Sequence, residues 1–236
     1  MNTYTKNVVK IMTNTKVPEH FTASTPAKIS SKSNNSFSML AGPKFGCPGA
    51  TKACVDCYAM KGSHHMPNVQ KALSKNWLLM KKLNKNYDIE KATQELISII
   101  PKSAKIFRIH ESSDFFSQWY VDVWANVVKS RKDVSFWAYT RSFNLNFTNL
   151  TRNPNFALWA STDKFNAQEA KQFVRRFRKS GVKHAYGPWE HETELPTNSF
   201  VCPATTGQIE MLGACEKCSL CIVKKRINKN IVFLKH

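Results

Sequence analysis

The stretch KIFRIHESSDFFSQWYVDVW (105–124) decides the fold. Its first six residues alternate apolar and polar side chains as a strand does, and the HESSD that follows breaks the pattern. Phe116, Trp119, Tyr120 and Val123 then return at helical spacing, continued by Val127 and Val128. Strand, polar turn and amphipathic helix make one βα unit, with Ser113 or Asp114 expected to cap the helix.

The unit repeats. VSFWAYT (134–140), NFALWA (155–160) and KHAYG (183–187) read as further strands. FNLNFTNL (143–150) holds a helical turn or two, and Asn166 with Glu169 forms a capping pair for a helix carrying Ala170, Phe173, Val174 and Phe177 that Gly181 ends. Upstream, FSMLAG (37–42) reads as an earlier strand. Val69, Leu73, Trp77 and Met80 mark one helix, and a second runs from Asp88 towards Pro101. Strands that recur every twenty to thirty residues or so, with helices between, imply a mainly parallel sheet. About five or six strands are too few for a closed eight-stranded barrel. The expected fold is therefore α/β, a partial (β/α) barrel, with an open doubly wound sheet as the alternative. Residues 1–36 read as an irregular N-terminal arm, 37–200 as the barrel, and 201–236 as a cysteine-rich segment and basic tail packed on the same domain.

In parallel α/β folds the carboxyl ends of the strands form the functional face. Here those ends run into HESSD, TRS, STD and PWEHE. His110, Glu111, Arg141 and Asp163 are the candidate catalytic residues, with Asp114, Thr140, Ser161 and Glu190 beside them. Ser113, Thr162 and Asp163 also suit the capping of following helices, whereas Arg141 and His110 are not usual caps.

The 236-residue chain has seven cysteines. MNTYTKNVVKIMTNTK lacks the apolar core of a signal peptide and no stretch is long and apolar enough to span a bilayer, so a cytoplasmic protein without membrane contact is expected. An odd number of cysteines in a reducing compartment points to metal ligation or catalysis rather than disulfides. Cys215, Cys218 and Cys221 form C-x-x-C-x-x-C, with Cys202 upstream and followed by Pro203. That overlapping run suits four corners of a [4Fe-4S] cluster better than the two separated knuckles of a structural zinc site. The second set, Cys47, Cys54 and Cys57, has only three thiols. Three thiolates would leave one iron open to substrate, to S-adenosylmethionine (SAM), or to a further ligand such as Asp56, His64 or His65; zinc on three cysteines and one of these histidines is the alternative.

Lys plus Arg number 35 against 16 Asp plus Glu, a formal charge of +19. Such a surface attracts nucleic acid or another polyanion, so a basic nucleic-acid-binding protein braced by clusters or zinc is the competing expectation, and a bare iron-sulfur electron carrier a third. The four tryptophans Trp119, Trp124, Trp137 and Trp159 are expected in the core rather than as base-stacking residues.

A three-cysteine loop after the first strand and a four-cysteine C-terminal segment resemble the layout of radical-SAM enzymes with an auxiliary cluster. The spacing departs from theirs: the first gap has six residues, not three, and the aromatic residue Tyr58 follows the last cysteine instead of preceding it. CPGATKACVDCYAMKG, RIHESSDFFSQWYVDVW, FWAYTRS and the closing VCPA with C-x-x-C-x-x-C resemble the phage "gene product 88" family. That resemblance implies a phage or prophage protein acting in the bacterial cytoplasm. An iron-sulfur enzyme would draw electrons from a flavodoxin or ferredoxin.

Overall fold

The computed structural model describes residues 3–14, 16–20, 35–190, 194–210, 213–222 and 228–235. Its framework is a seven-stranded, all-parallel sheet flanked by helices. The strands are β1 (Ser36–Phe37), β2 (Ile106–Ile109), β3 (Ser135–Thr140), β4 (Phe156–Thr162), β5 (Lys183–Trp189), β6 (Ser199–Val201) and β7 (Asn230–Leu234), in spatial order β1-β2-β3-β4-β5-β7-β6. The helices are α1 (Thr3–Thr13), α2 (Pro67–Lys85), α3 (Ile89–Ser98), α4 (Gln118–Ser130), the single turn α5 (Thr148–Thr151), α6 (Ala167–Arg176) and the short α7 (Ala214–Cys218).

From β1 to β5 spatial order follows chain order, with no reversal of winding. Connections between parallel strands share one hand, so crossovers that all step the same way stack their helices on one face. The side chains agree. Phe107, Ile109, Phe136, Ala138, Phe156, Leu158 and Ala160 share one core with Leu73, Trp77, Leu96, Trp124, Val127 and Phe173 from the helices. Each large apolar side chain so enclosed stabilises the fold by about 1.5–3 kcal/mol. The alternate residues Trp137, Tyr139, Ala157 and Trp159 point to the other face, which is covered by the C-terminal segment through Ile222, Cys215, Cys221, Phe200 and Cys202. A doubly wound sheet, with helices on both faces of its central strands, is therefore not the arrangement of β1 to β5.

Several boundaries differ from those read in the sequence. Thr3–Thr13, assigned to an irregular arm, is a helix whose Tyr4 and Val8 are buried against the main core; residues 21–34 of that arm lie outside the described residues. FSMLAG pairs as a strand only over Ser36–Phe37, although Met39 and Leu40 are fully buried. The cap of α4 is Ser117, whose Oγ accepts from the Tyr120 N–H, not Ser113 or Asp114, which the strand ends recruit. Asn166 precedes α6 but makes no side-chain cap; its amide spans the loop, accepting from Asp163 N–H and donating to the Ser161 carbonyl. α3 starts after Asp88 as expected, with the Asp88 side chain as its cap, and Gly181 ends its helical stretch with φ +80°. Strands β6 and β7 were not anticipated: β6 crosses the boundary read between the barrel, ending at 200, and the cysteine-rich segment, and NIVFL was read as part of a basic tail. β7 inserts between β5 and β6.

Candidate functional site

The first cysteine segment is draped across three strand ends. Gly46 lies at the end of β2, its carbonyl accepting from Asp114 N–H at 2.8 Å. A Cβ there would stand 2.5 Å from Ser113 Oγ. Gly49 lies at the end of β3, packed so closely that a Cβ would collide with the Arg141 carbonyl. Thr51 reaches β4, its hydroxyl donating to Asp163 Oδ2 at 2.7 Å. The Gly, Gly and Thr of GCPGAT are thus what seats the loop, because only a backbone without side chains fits so close to the sheet. Tyr58 returns the segment to β2 by donating its hydroxyl to the Glu111 carbonyl.

Beneath the loop, Asp114 ties the strand ends together. Its carboxylate accepts from Phe115 N–H, Thr140 Oγ1 and Arg141 N–H, each at 2.7 Å. Burial nonetheless raises it to about 6, outweighing these donors. Arg141 turns outward to pair with Asp163, Nε to Oδ2 at 3.2 Å, and donates to the Gly187 carbonyl at 3.3 Å. Two residues of this turn, His110 at φ +68° and Ser113 at φ +94°, occupy the left-handed region that such side chains rarely adopt. Backbone strain of this kind persists where the surroundings over-determine it, and gathers at functional sites.

Cys47, Cys54 and Cys57 are free, half-buried thiols near enough to influence one another's charge. Burial pushes Cys47 up to about 12, with Asp114 adding to the effect, and raises Cys57 while Arg141 opposes the rise. Backbone N–H groups bond the sulfurs, Gly42 to Cys47 and Ala59 and Met60 to Cys57. With Cys47 and Cys57 raised, a metal would have to displace the protons of these two thiols.

The second set lies on the sheet face that the helices leave bare. Cys221 packs on Trp137, Tyr139 and Trp159, and its carbonyl accepts from Trp159 Nε1 at 2.9 Å. Burial raises its thiol far above the usual range, Tyr139 opposes this by donating a hydrogen bond to the sulfur, and Cys215, Cys202 and Cys218 add to the rise. Cys215 lies in the first turn of α7, packed on the cluster around Trp137, and Cys202 leaves β6 with its N–H bonded to the Val232 carbonyl of β7 at 2.8 Å. Soft sulfur donors grouped in two sets, with backbone donors at the upstream sulfurs, fit iron-sulfur ligation chemically. Among the described residues no three His, Cys, Asp or Glu side chains converge to hold a single metal ion.

The predicted site residues separate into two groups. Arg141 and Asp163 meet each other and the first cysteine loop, and Glu111 contributes its carbonyl to that loop. His110 does not join them. It is 3% exposed, with Nε2 2.8 Å from the Tyr120 hydroxyl and its ring against Phe115, and burial lowers it to about 3. It is a neutral core histidine, because the left-handed backbone turns it under the helices instead of over the strand ends. Glu190 pairs with Lys235 at 3.9 Å, and that lysine also acts on Asp56 in the first cysteine segment. Asp56 is exposed and paired with Lys61, His64 is buried beside Tyr58, and His65 packs on Tyr4, so none completes a three-cysteine zinc site among the described residues. Trp119, Trp124, Trp137 and Trp159 are all buried.

Sequence reasoning passed over Thr51, Tyr58, Arg108 and Tyr139. The one signal available was Arg108, a charge at a position of β2 flanked by apolar neighbours.

No helix among the described residues is long and apolar enough to cross a membrane. No solved structure matches the chain. The chain is similar to the Gene 88 protein of Mycobacterium phage L5, 31% identical over 213 residues covering 84% of this chain and 86% of that one. It is likewise similar to the Gene 88 protein of Mycobacterium phage D29, 32% identical over 203 residues covering 80% and 82%. The family model described as "Gene product 88" matches residues 5–224, which takes in both cysteine sets and the strands between them. The chain belongs to the Gene product 88 family, a family of phage proteins.

Proposed function

We propose that this chain is an iron-sulfur enzyme. Cys47, Cys54 and Cys57 would hold an open [4Fe-4S] cluster, and Cys202, Cys215, Cys218 and Cys221 a closed one. The observation that carries the reading is the seating of the three-thiol loop over the carboxyl ends of β2, β3 and β4, directly against Arg141 and Asp163. A site that only braced the fold would not need its loop anchored on the strand ends where α/β enzymes do chemistry. A cluster held there by Cys47, Cys54 and Cys57 would supply one-electron chemistry at its open iron.

The chain's own residues would do the rest. Arg141, fixed by Asp163 and the Gly187 carbonyl, offers donors to an anionic group such as the carboxylate of SAM. Thr51 and Tyr58 hold the loop against the strand ends beside that position. Trp137, Trp159 and Ile222 give Cys202, Cys215 and Cys221 of the half-buried second set an apolar floor. Sequential strands with helices on one face support reading the sheet as a partial barrel of radical-SAM type, with a flavodoxin or ferredoxin as reductant and the bacterial cytoplasm as the place of action.

The test is anaerobic purification, with iron, acid-labile sulfide and zinc measured per chain and EPR spectra recorded after reduction with and without SAM. About eight irons and eight sulfides, the content of two cubanes, with a spectral change on adding SAM support the full reading. Clusters without a SAM response leave an iron-sulfur protein with another reaction at the open iron. Zinc without sulfide overturns the reading in favour of a basic nucleic-acid binder, whose affinity would fall steeply with salt.

A further inference from the structure

Between the two cysteine sets lies a cation that neither needs as a ligand. Arg108 sits in β2 with Phe107 and Ile109 on either side, and those two face the helix core. Alternation therefore sends Arg108 to the opposite face, where the C-terminal segment packs. Its guanidinium carbon lies 5.4 Å from the centre of the Tyr139 ring, and its Nε is enclosed without a hydrogen-bond partner. Tyr58, which adjoins Cys57, has its hydroxyl within reach of the guanidinium, and Cys215 and Glu111 are close enough to favour its charge. Tyr139 donates to Cys221. Arg108 thus links Tyr58, the chain neighbour of Cys57, with Tyr139 and, through it, Cys221.

Glu111 favours the Arg108 charge, yet the enclosed Nε–H has no hydrogen-bond partner and gains from further negative charge beside it. Thiolates ligating a cluster on each side would supply it from both directions at once, and the guanidinium would in turn lessen the repulsion between two anionic centres that share one sheet.

We propose that Arg108, carried by Tyr58 and Tyr139, is the shared counter-cation of the two cysteine sets and sets the reduction potential of both. It is a positioning residue, acting on the clusters through charge and through the two tyrosine hydroxyls. The inference rests on the proposed iron-sulfur reading.

The experiment uses the full chain loaded anaerobically, with iron and sulfide content and the midpoint potential of each cluster followed by EPR. Midpoints are assigned with variants in which the cysteines of one set are changed to serine. Arg108→Gln removes a positive charge from both centres and is expected to lower both midpoints by the equivalent of tenfold or more in the reduction equilibrium, 59 mV for one electron. Arg108→Lys is expected to restore most of that shift. Tyr139→Phe should move only the C-terminal cluster and Tyr58→Phe only the upstream one; each deletes a single hydroxyl and remains readable if Arg108→Gln does not fold. Loaded Arg108→Gln with both midpoints unchanged, or with only one moved, overturns the inference and leaves the cluster reading standing. Tyrosine variants that shift neither cluster overturn it as well. Wild-type protein that takes up no iron or sulfide overturns both.

Discussion

The two cysteine sets are held by opposite kinds of force. The upstream set is fixed by polar contacts at the edge of the sheet: the Gly46 carbonyl to Asp114, Gly49 pressed on Arg141, Thr51 to Asp163 and Tyr58 to Glu111. Its loop faces outward, with Val55 80% and Tyr58 58% exposed. The C-terminal set is fixed by apolar packing on a sheet face, against Trp137, Tyr139, Trp159 and Ile222. Directional bonds at an open edge hold a position that a second molecule can approach. An aromatic floor covers one side of the second set and leaves less room for a partner there. The contrast supports the proposal that chemistry belongs to the three-thiol set and a closed role to the four-thiol set.

The strongest attack on this contrast is Trp159→Ala. It empties the floor under Cys221 and removes the Nε1 bond to the Cys221 carbonyl. A loss of about 3–5 kcal/mol is expected for such a truncation. Urea unfolding would measure it, and iron should leave the four-cysteine set before the three-cysteine set. Equal loss from both would mean that the two sets are one unit.

The next effect is one of pH and belongs to the polar edge. Burial raises Asp114 to about 6, so the native state holds its proton more tightly than the unfolded chain does. The stabilisation is full below the unfolded carboxyl range near ~4 and is lost as pH rises through about 6, a change on the order of 3 kcal/mol. Unfolding midpoints between pH 4 and 7 should show this decline, and Asp114→Asn should flatten it.

Gly49→Ala sharpens the contrast at smaller cost. The new methyl group must displace the loop from the Arg141 carbonyl, at about 1–3 kcal/mol. Iron content should fall at the upstream set alone, as read by the EPR signal that remains. The mildest variant is Thr51→Val, which removes the bond to Asp163 at about 1 kcal/mol. It should leave the C-terminal set unaffected while making upstream iron easier to remove with a chelator.

Much of this architecture is legible along the chain because it depends on local periodicity. Strands β2 to β5 and helices α2, α3, α4 and α6 each carry an apolar repeat of their own. β6 has only three residues, and β7 follows a charge-rich segment, so their pairing comes from neighbours distant in sequence, such as Ala185 with Ile231. α1 escaped because it precedes a polar, irregular stretch, and packing on α2 gives Tyr4 and Val8 a place in the core. In the site, Arg141 and Asp163 were found from their position after a strand. His110 had the same signature and was misplaced, since a positive φ at a non-glycine residue leaves no mark in composition.

The sequence by itself determined the alternation of strand and helix, the parallel sheet that follows from it, and the existence of two cysteine sets, because each is written in spacing between near neighbours. Tertiary structure alone decided that the first set lies over three strand ends and the second beneath the sheet, and that Arg108 stands between them. Those relations join residues such as Thr51 with Asp163 and Trp159 with Cys221, whose proximity arises only when crossovers bring distant strands side by side.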